Sequence, residues 1–279
     1  MTALRETLEE TGILLVEQPT TNATNATNAT AEQLAAARLA IHSRTDPLTF
    51  PDFLARYHLQ PPVDKLVPFS QWITPEDVPV RFHARFYVLF TEELDLQGAV
   101  VEQVQPPTSE DGGGVRVQNP TADGGVEIIS ASWIHPRDLF AAFRKGELSL
   151  FPPQYYLLTT LGNLLDSMPQ GSNRTEALRR YVDGFGSRLF NPRPTGFTEE
   201  GGKGQRAILT YEGDELRGGN VGDRHRSLVL YQGRVSGETP ICCCCCWLLT
   251  FPKRIADIEL QRNIDVLTPL DRSESKARL

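Results

Sequence analysis

Arg5-Glu6-Thr7-Leu8-Glu9-Glu10-Thr11-Gly12-Ile13 is the stretch around which the chain is organised. It crowds three glutamates into little more than one helical turn and halts them at a glycine. Thr2 reads as the helix N-cap, and Gly12 stands where helices commonly end in a left-handed residue. Glu6, Glu9 and Glu10 are spaced i, i+3 and i+4, so their side chains share one face. Like charges so placed repel by a few tenths of a kcal/mol per pair on an exposed helix. A hard divalent cation held by their oxygens would reverse that sign. A solvated acidic helix accounts for the same pattern without a cation. Ile13-Leu14-Leu15-Val16 follows as a short buried-strand pattern.

Composition bounds what surrounds this stretch. A chain of 279 residues holds one large domain, or one domain with appendages. Its 40% hydrophobic and 23% charged content is ordinary for a globular protein. The net charge of −7 argues against nucleic acid or an anionic membrane as the main partner. Glu6, Glu9 and Glu10 occupy the place of a signal peptide's apolar core, so no secretory signal is expected. All five cysteines lie in the run Cys242–Cys246, and adjacent cysteines build no disulfide framework.

The order of residues in the opening stretch resembles the second half of the Nudix box, Gly-x5-Glu-x7-Arg-Glu-U-x-Glu-Glu-x-Gly-U, where U is bulky and aliphatic. Arg5, Glu6, Glu9, Glu10 and Gly12 fall in register, and Ile13 fills the final aliphatic slot. Thr7 stands at the inner aliphatic position, with Leu8 beside it. The Gly-x5-Glu half of the box does not precede Arg5 in this sequence. The resemblance implies an α/β fold, a Nudix-like α/β/α sandwich around a mixed sheet, here expected to lack its first strands. It also implies metal-assisted hydrolysis of a diphosphate. In that reading Glu9 and Glu10 hold Mg2+ or Mn2+, and Glu6 is either a further ligand or the base for the attacking water. Arg5 orients the glutamates through a salt bridge.

Further along, the chain supplies a second set of marks. Thr20 to Ala31 repeats Asn-Ala-Thr, formally glycosylation acceptors at Asn22, Asn25 and Asn28, and reads as a flexible low-complexity loop. Ala31–Ile41 and Pro51–Tyr57 read as helices, and Pro61-Pro62 as a break. Trp72-Ile73-Thr74-Pro75 leads through Arg81-Phe82-His83-Ala84 into Phe86-Tyr87-Val88-Leu89-Phe90, an apolar run expected to be a central strand. Residues 92–125 are acidic and glycine-rich, with a loop at Gly112-Gly113-Gly114 and a turn at Asp123-Gly124-Gly125. The triple glycine lacks phosphate-cradle spacing. Val126–Trp133 alternates like a strand, and a helix follows Pro136-Arg137-Asp138. Phe151-Pro152-Pro153-Gln154-Tyr155 precedes another helix, through Leu165.

These segments together resemble a Nudix subgroup, the peroxisomal coenzyme A diphosphatases of the nucleoside diphosphate-linked moiety X motif 19 type. Members carry a long insertion inside the box, before its Arg-Glu. The resemblance spans about residues 3–165, and implies coenzyme A or acyl-CoA as substrate, cleaved to 3′,5′-ADP and (acyl-)4′-phosphopantetheine. His83 stands where the subgroup tends to have aspartate, and is either a site residue or a structural histidine at a strand start. Ala277-Arg278-Leu279 resembles the small-basic-leucine tail read by the peroxisomal import receptor. A peroxisomal location is expected on that basis, with the cytoplasm as the alternative.

The expected domains are a Nudix hydrolase domain over 1–165, a C-terminal extension over 166–270, and a polar tail over 271–279. Within the extension, Arg174–Phe185 reads as a helix, and Ala207–Tyr211 and Ser227–Tyr231 as strands. Arg224-His225-Arg226 is either a phosphate contact or a solvated turn. Ile241–Phe251 is too short to cross a membrane; its cysteines lack paired metal-ligand spacing, and the run reads as a buried strand or a sequence artefact. Two functional readings stand. One is a peroxisomal Nudix hydrolase whose gene extends upstream of Met1. The other is a remnant of the fold, a non-catalytic binding protein or gene-model fragment, whose unpaired strand edges would favour aggregation.

Overall fold

A computed structural model describes residues 1–17, 31–42, 48–76, 80–91, 95–97, 120, 132–168, 173–199, 205–232, 254–264 and 266–267. Outside the described residues lie the Asn-Ala-Thr repeats, both glycine clusters, residues 126–131 of the expected strand, the Cys242–Cys246 run and the tail Ala277-Arg278-Leu279. The chain is mixed α/β, compatible with an α/β sandwich, and divides into two compact units.

The first unit comprises Met1–Leu66 and Leu89–Ile134. Helix α1 (Thr2–Thr11) buries Leu4 and Leu8, an i, i+4 pair on its apolar side. Its C-terminus is the expected one: Gly12 is left-handed, at φ 72°, and its N–H donates to the Leu8 carbonyl at 2.9 Å. Its start differs from expectation by one residue. Met1, not Thr2, is the N-cap, because the Met1 carbonyl already accepts from Leu4 and Arg5, both at 3.1 Å. No side chain caps this end. Strand β1 (Leu14–Val16) is buried throughout. Helices α2 (Ala31–His42) and α3 (Phe50–Arg56) fall where the sequence places them, α3 capped by Thr49, whose hydroxyl accepts from Asp52 N–H at 3.2 Å. The core joins Leu4, Leu8, Leu14, Val16, Phe50 and Phe53.

The second unit comprises Val67–Val88 and His135–Leu279. Strand β2 (Val67–Ile73) pairs antiparallel with β3 (His83–Val88), a short strand, β4 (Asp95–Gln97), pairs with β1 in the first unit, and the second unit continues with helices α4 (Pro136–Lys145), α5 (Pro152–Ser167) and α6 (Arg174–Val182). Pro152 sits in the first turn of α5, and the Gln154 side chain accepts from Phe151 N–H at 2.9 Å, which explains why Pro-Pro-Gln starts a helix. Strand β5 (Leu189–Phe190) runs parallel to β2, giving the mixed sheet β3-β2-β5. Strands β6 (Arg193–Phe197), β7 (Ala207–Thr210), β8 (His225–Gln232) and β9 (Arg254–Arg262) form an antiparallel sheet in that order. Phe143 and Leu150 pack with Leu209, Val229, Ile255 and Ile258 beneath it.

The Phe86–Phe90 run is not a central strand: among the described residues β3 is the edge of its sheet, largely exposed, and ends at Val88. The central place belongs to β2, which buries Val67, Phe69, Ser70 and Trp72. The expected boundary at residues 165/166 falls inside α5, and the chain on both sides of it belongs to the second unit.

Candidate functional site

The candidate site residues lie along α1. Arg5 Nη1 donates to both oxygens of Glu9, at 2.7 and 2.6 Å, and Arg5 Nη2 to a Glu6 oxygen. Glu9 is only 3% exposed, so its charge is nearly out of water and is matched by one guanidinium held in a two-pronged grip. The i, i+4 spacing of Arg5 and Glu9 and the adjacency of Glu6 make this possible on one helix. Glu10 is half-buried at the end of the same face.

Arg38 of α2 is the residue that sequence reasoning missed. Its Nε donates to the Glu9 carbonyl at 2.7 Å and its Nη2 to the Glu10 carbonyl at 2.8 Å. It thereby satisfies last-turn carbonyls that have no partner within the helix, with a positive charge at the negative end of the helix dipole. Nothing in the sequence points to it, because the low-complexity repeats separate it from the glutamates and α2 reads only as an alanine-rich helix.

Two carboxylates focused on one cationic centre are the donor chemistry of a hard divalent ion, and Mg2+ commonly takes only one or two protein carboxylates. Glu6 and Glu9 are carboxylates of that kind, and both are engaged by Arg5, through different guanidinium nitrogens. Among the described residues, no three His, Cys, Asp or Glu side chains form a group that could hold a metal ion, so Glu6, Glu9 and Glu10 do not converge as a threesome.

His83 lies exposed at the start of β3 with its Nε2 3.0 Å from Gln71 Oε1, a cross-strand contact in the second unit. Of the Arg224-His225-Arg226 trio, Arg224 precedes β8 and is partly exposed, while His225 and Arg226 open the strand and are buried, so these two are not a solvated turn. Arg226 grips Asp214 through Nε and Nη2 at 2.7 and 2.5 Å, and Arg224 pairs with Glu215. The His225 Nδ1 lies 2.6 Å from the Glu212 carbonyl, which can only accept, so Nδ1 carries the proton and Nε2 accepts from the Tyr156 hydroxyl at 2.8 Å. Burial pushes the His225 pKa from 6.5 down to about 4, and Arg262 and Arg188 push the same way against the Glu212 hydrogen bond. Burial raises the Tyr211 hydroxyl out of the ordinary tyrosine range despite its hydrogen bond with Ser227. Asp214 is held below its usual range, because the Arg226 grip and the His225 and Leu216 N–H groups outweigh its desolvation. The Arg226 charge is thus consumed inside the fold, whereas Arg224 pairs with Glu215 at the surface.

Comparison with known proteins gives one partial relationship. The chain is 31% identical over 168 residues, 58% of its length, to acyl-coenzyme A diphosphatase NUDT19 of Gallus gallus. The matched part is 39% of that protein's length. No protein-family model matches the chain, and no solved structure matches it. The relationship is Nudix-like, distant and partial.

Proposed function

We propose that the chain is a Nudix-type diphosphate hydrolase acting on coenzyme A or its acyl esters, releasing 3′,5′-ADP and (acyl-)4′-phosphopantetheine. The similarity to an acyl-coenzyme A diphosphatase carries this reading. The glutamates of α1 support it with the right side-chain chemistry.

Glu9 and Glu10 would hold Mg2+ or Mn2+, with Glu6 as the base toward water; Glu6 as a further ligand would require the three carboxylates, which do not converge here, to move together. Such an ion supplies Lewis-acid polarisation of the phosphoryl oxygens when bound. Arg5 fixes the rotamers of Glu6 and Glu9 through its paired hydrogen bonds, so both carboxylates are ordered before any ligand arrives. Arg38 fixes the backbone from which Glu9 and Glu10 project.

The test is hydrolysis of coenzyme A and acyl-CoA by the purified chain with Mn2+ or Mg2+. Turnover that a chelator stops supports the proposal; a folded chain without turnover removes it. That second outcome favours the other reading, a non-catalytic Nudix-like remnant. The observation on its side is that Arg5 already compensates Glu6 and Glu9 without any ion. Import through Ala277-Arg278-Leu279 belongs to the hydrolase reading. A fluorescent protein ending in these residues should enter peroxisomes, and a diffuse cytoplasmic signal would discard the address.

A further inference from the structure

We propose that a cleft in the second unit, on the open face of the β2–β3 hairpin, binds a small phosphate ester carrying a planar ring. The cleft measures about 510 Å3, within the size range of small-molecule sites, and is lined by Gln71, Arg85, Tyr87, Arg179, Asp183 and Ser187 among others. It does not involve the glutamates of α1, and stands independently of the hydrolase reading.

The backbone builds the cleft before any ligand is present. The pairing of β2 with β3 shifts register between Pro68 and Ser70, a bulge that re-aims the neighbouring side chains. The chain leaving α6 then presses against β2: a Cβ at Gly186 would lie 2.3 Å from the Pro68 carbonyl oxygen. Gln71 is clamped across the floor, its Nε2 donating to the Gly186 carbonyl at 3.2 Å and its Oε1 accepting from His83 Nε2 at 3.0 Å. The His83 ring, which the sequence left between two roles, thus fixes the orientation of a cleft residue.

The charge chemistry selects the ligand. Arg85 pairs across the strands with Gln71 and shares its face. It is exposed and, among the described residues, has no hydrogen-bond or ion-pair partner. Arg179 lines the opposite wall, and Asp183 is the cleft's single carboxylate. The Arg85 guanidinium thus places an uncompensated positive charge in the cleft of a chain whose net charge is −7. A guanidinium fork matches phosphate oxygens, and the Tyr87 ring, 37% exposed beside it, offers a flat apolar wall.

Calorimetric titration of the full chain with AMP, ribose 5-phosphate and inorganic phosphate tests this. AMP should bind more tightly than ribose 5-phosphate, and Arg85→Gln should weaken AMP about tenfold. Arg144→Gln, which removes an exposed arginine of α4 outside the cleft, should leave AMP binding unchanged. Tyr87→Ala should weaken AMP and spare ribose 5-phosphate. Absence of AMP binding by the unaltered chain, or equal weakening in Arg85→Gln and Arg144→Gln, overturns the proposal. Glu9→Gln separates the two sites: loss of AMP binding there, with Arg85→Gln binding normally, would move the ligand to α1 and empty the cleft. Loss of hydrolysis alone leaves the cleft standing.

Discussion

Glu9 puts a carboxylate where almost no water reaches, and Arg5 makes that tolerable. A buried charge deprived of its partner costs several kcal/mol, whereas the intact pair contributes little net. Arg5→Ala should therefore destabilise the chain by about 3 kcal/mol, read as a lower urea midpoint at unchanged slope. A loss of only a few tenths would mean that water or another cation already compensates Glu9. Glu9→Gln keeps one carbonyl oxygen as an acceptor for Arg5 and should leave the fold intact while abolishing metal-dependent turnover. Near-normal turnover in that variant would remove Glu9 from the metal site. The glutamates themselves were legible, since spacing on a helix needs only the 3.6-residue period. The burial of Glu9 was not, because it depends on which neighbours cover it.

Among the elements, α1 is closed at its C-terminus twice, by left-handed Gly12 and by Arg38. Hydrogen bonds from a charged donor are worth about 1.5–3 kcal/mol each in favourable cases. Arg38→Ala should lower stability by about 2 kcal/mol and raise amide exchange at Gly12, whose N–H closes the last turn. Unchanged exchange there would show that Gly12 holds the end alone. Gly186→Ala tests the seat of α6 against β2: a methyl group meeting a carbonyl oxygen should cost about 1–3 kcal/mol through backbone displacement, read as a lower melting temperature. Helices α2 to α6 and strands β1, β7 and β8 were legible from periodicity and from Pro, Gly and capping residues. The short strands β4 and β5 were not, because two or three residues carry no period. The edge position of β3 was hidden too: an apolar aromatic run reads as buried, and only the pairing order says otherwise.

At the scale of the whole molecule, one source of acid sensitivity lies in the second unit, where His225 is fully buried and neutral. Its folded-state pKa, lowered to about 4, lies below the value near 6.5 of an unfolded chain. Above about pH 6.5 neither state binds the proton, and the His225 contribution to stability is complete. As the pH falls from 6.5 to 4 the unfolded chain takes a proton that the folded one refuses, and about 3 kcal/mol is lost. Urea unfolding across that range should show the fall, and His225→Gln should flatten it. A slope unchanged by that substitution would assign the sensitivity to other groups. Asp214, held below its usual range, adds its own loss only at lower pH, as its carboxylate is protonated.

The sequence by itself determined the local elements and the roster of side chains. The period of α1, its glycine stop, the order Arg-Glu-x-x-Glu-Glu-x-Gly and the proline-led start of α5 follow from short-range sterics and hydrogen bonding. Tertiary structure alone decided what those side chains face. It set Arg38 on the carbonyls of Glu9 and Glu10, consumed Arg226 on Asp214, and buried His225 against Tyr156. The physical reason is range: backbone preference acts over a few residues, whereas desolvation and charge pairing depend on partners distant in sequence, which only the folded chain brings within hydrogen-bonding distance.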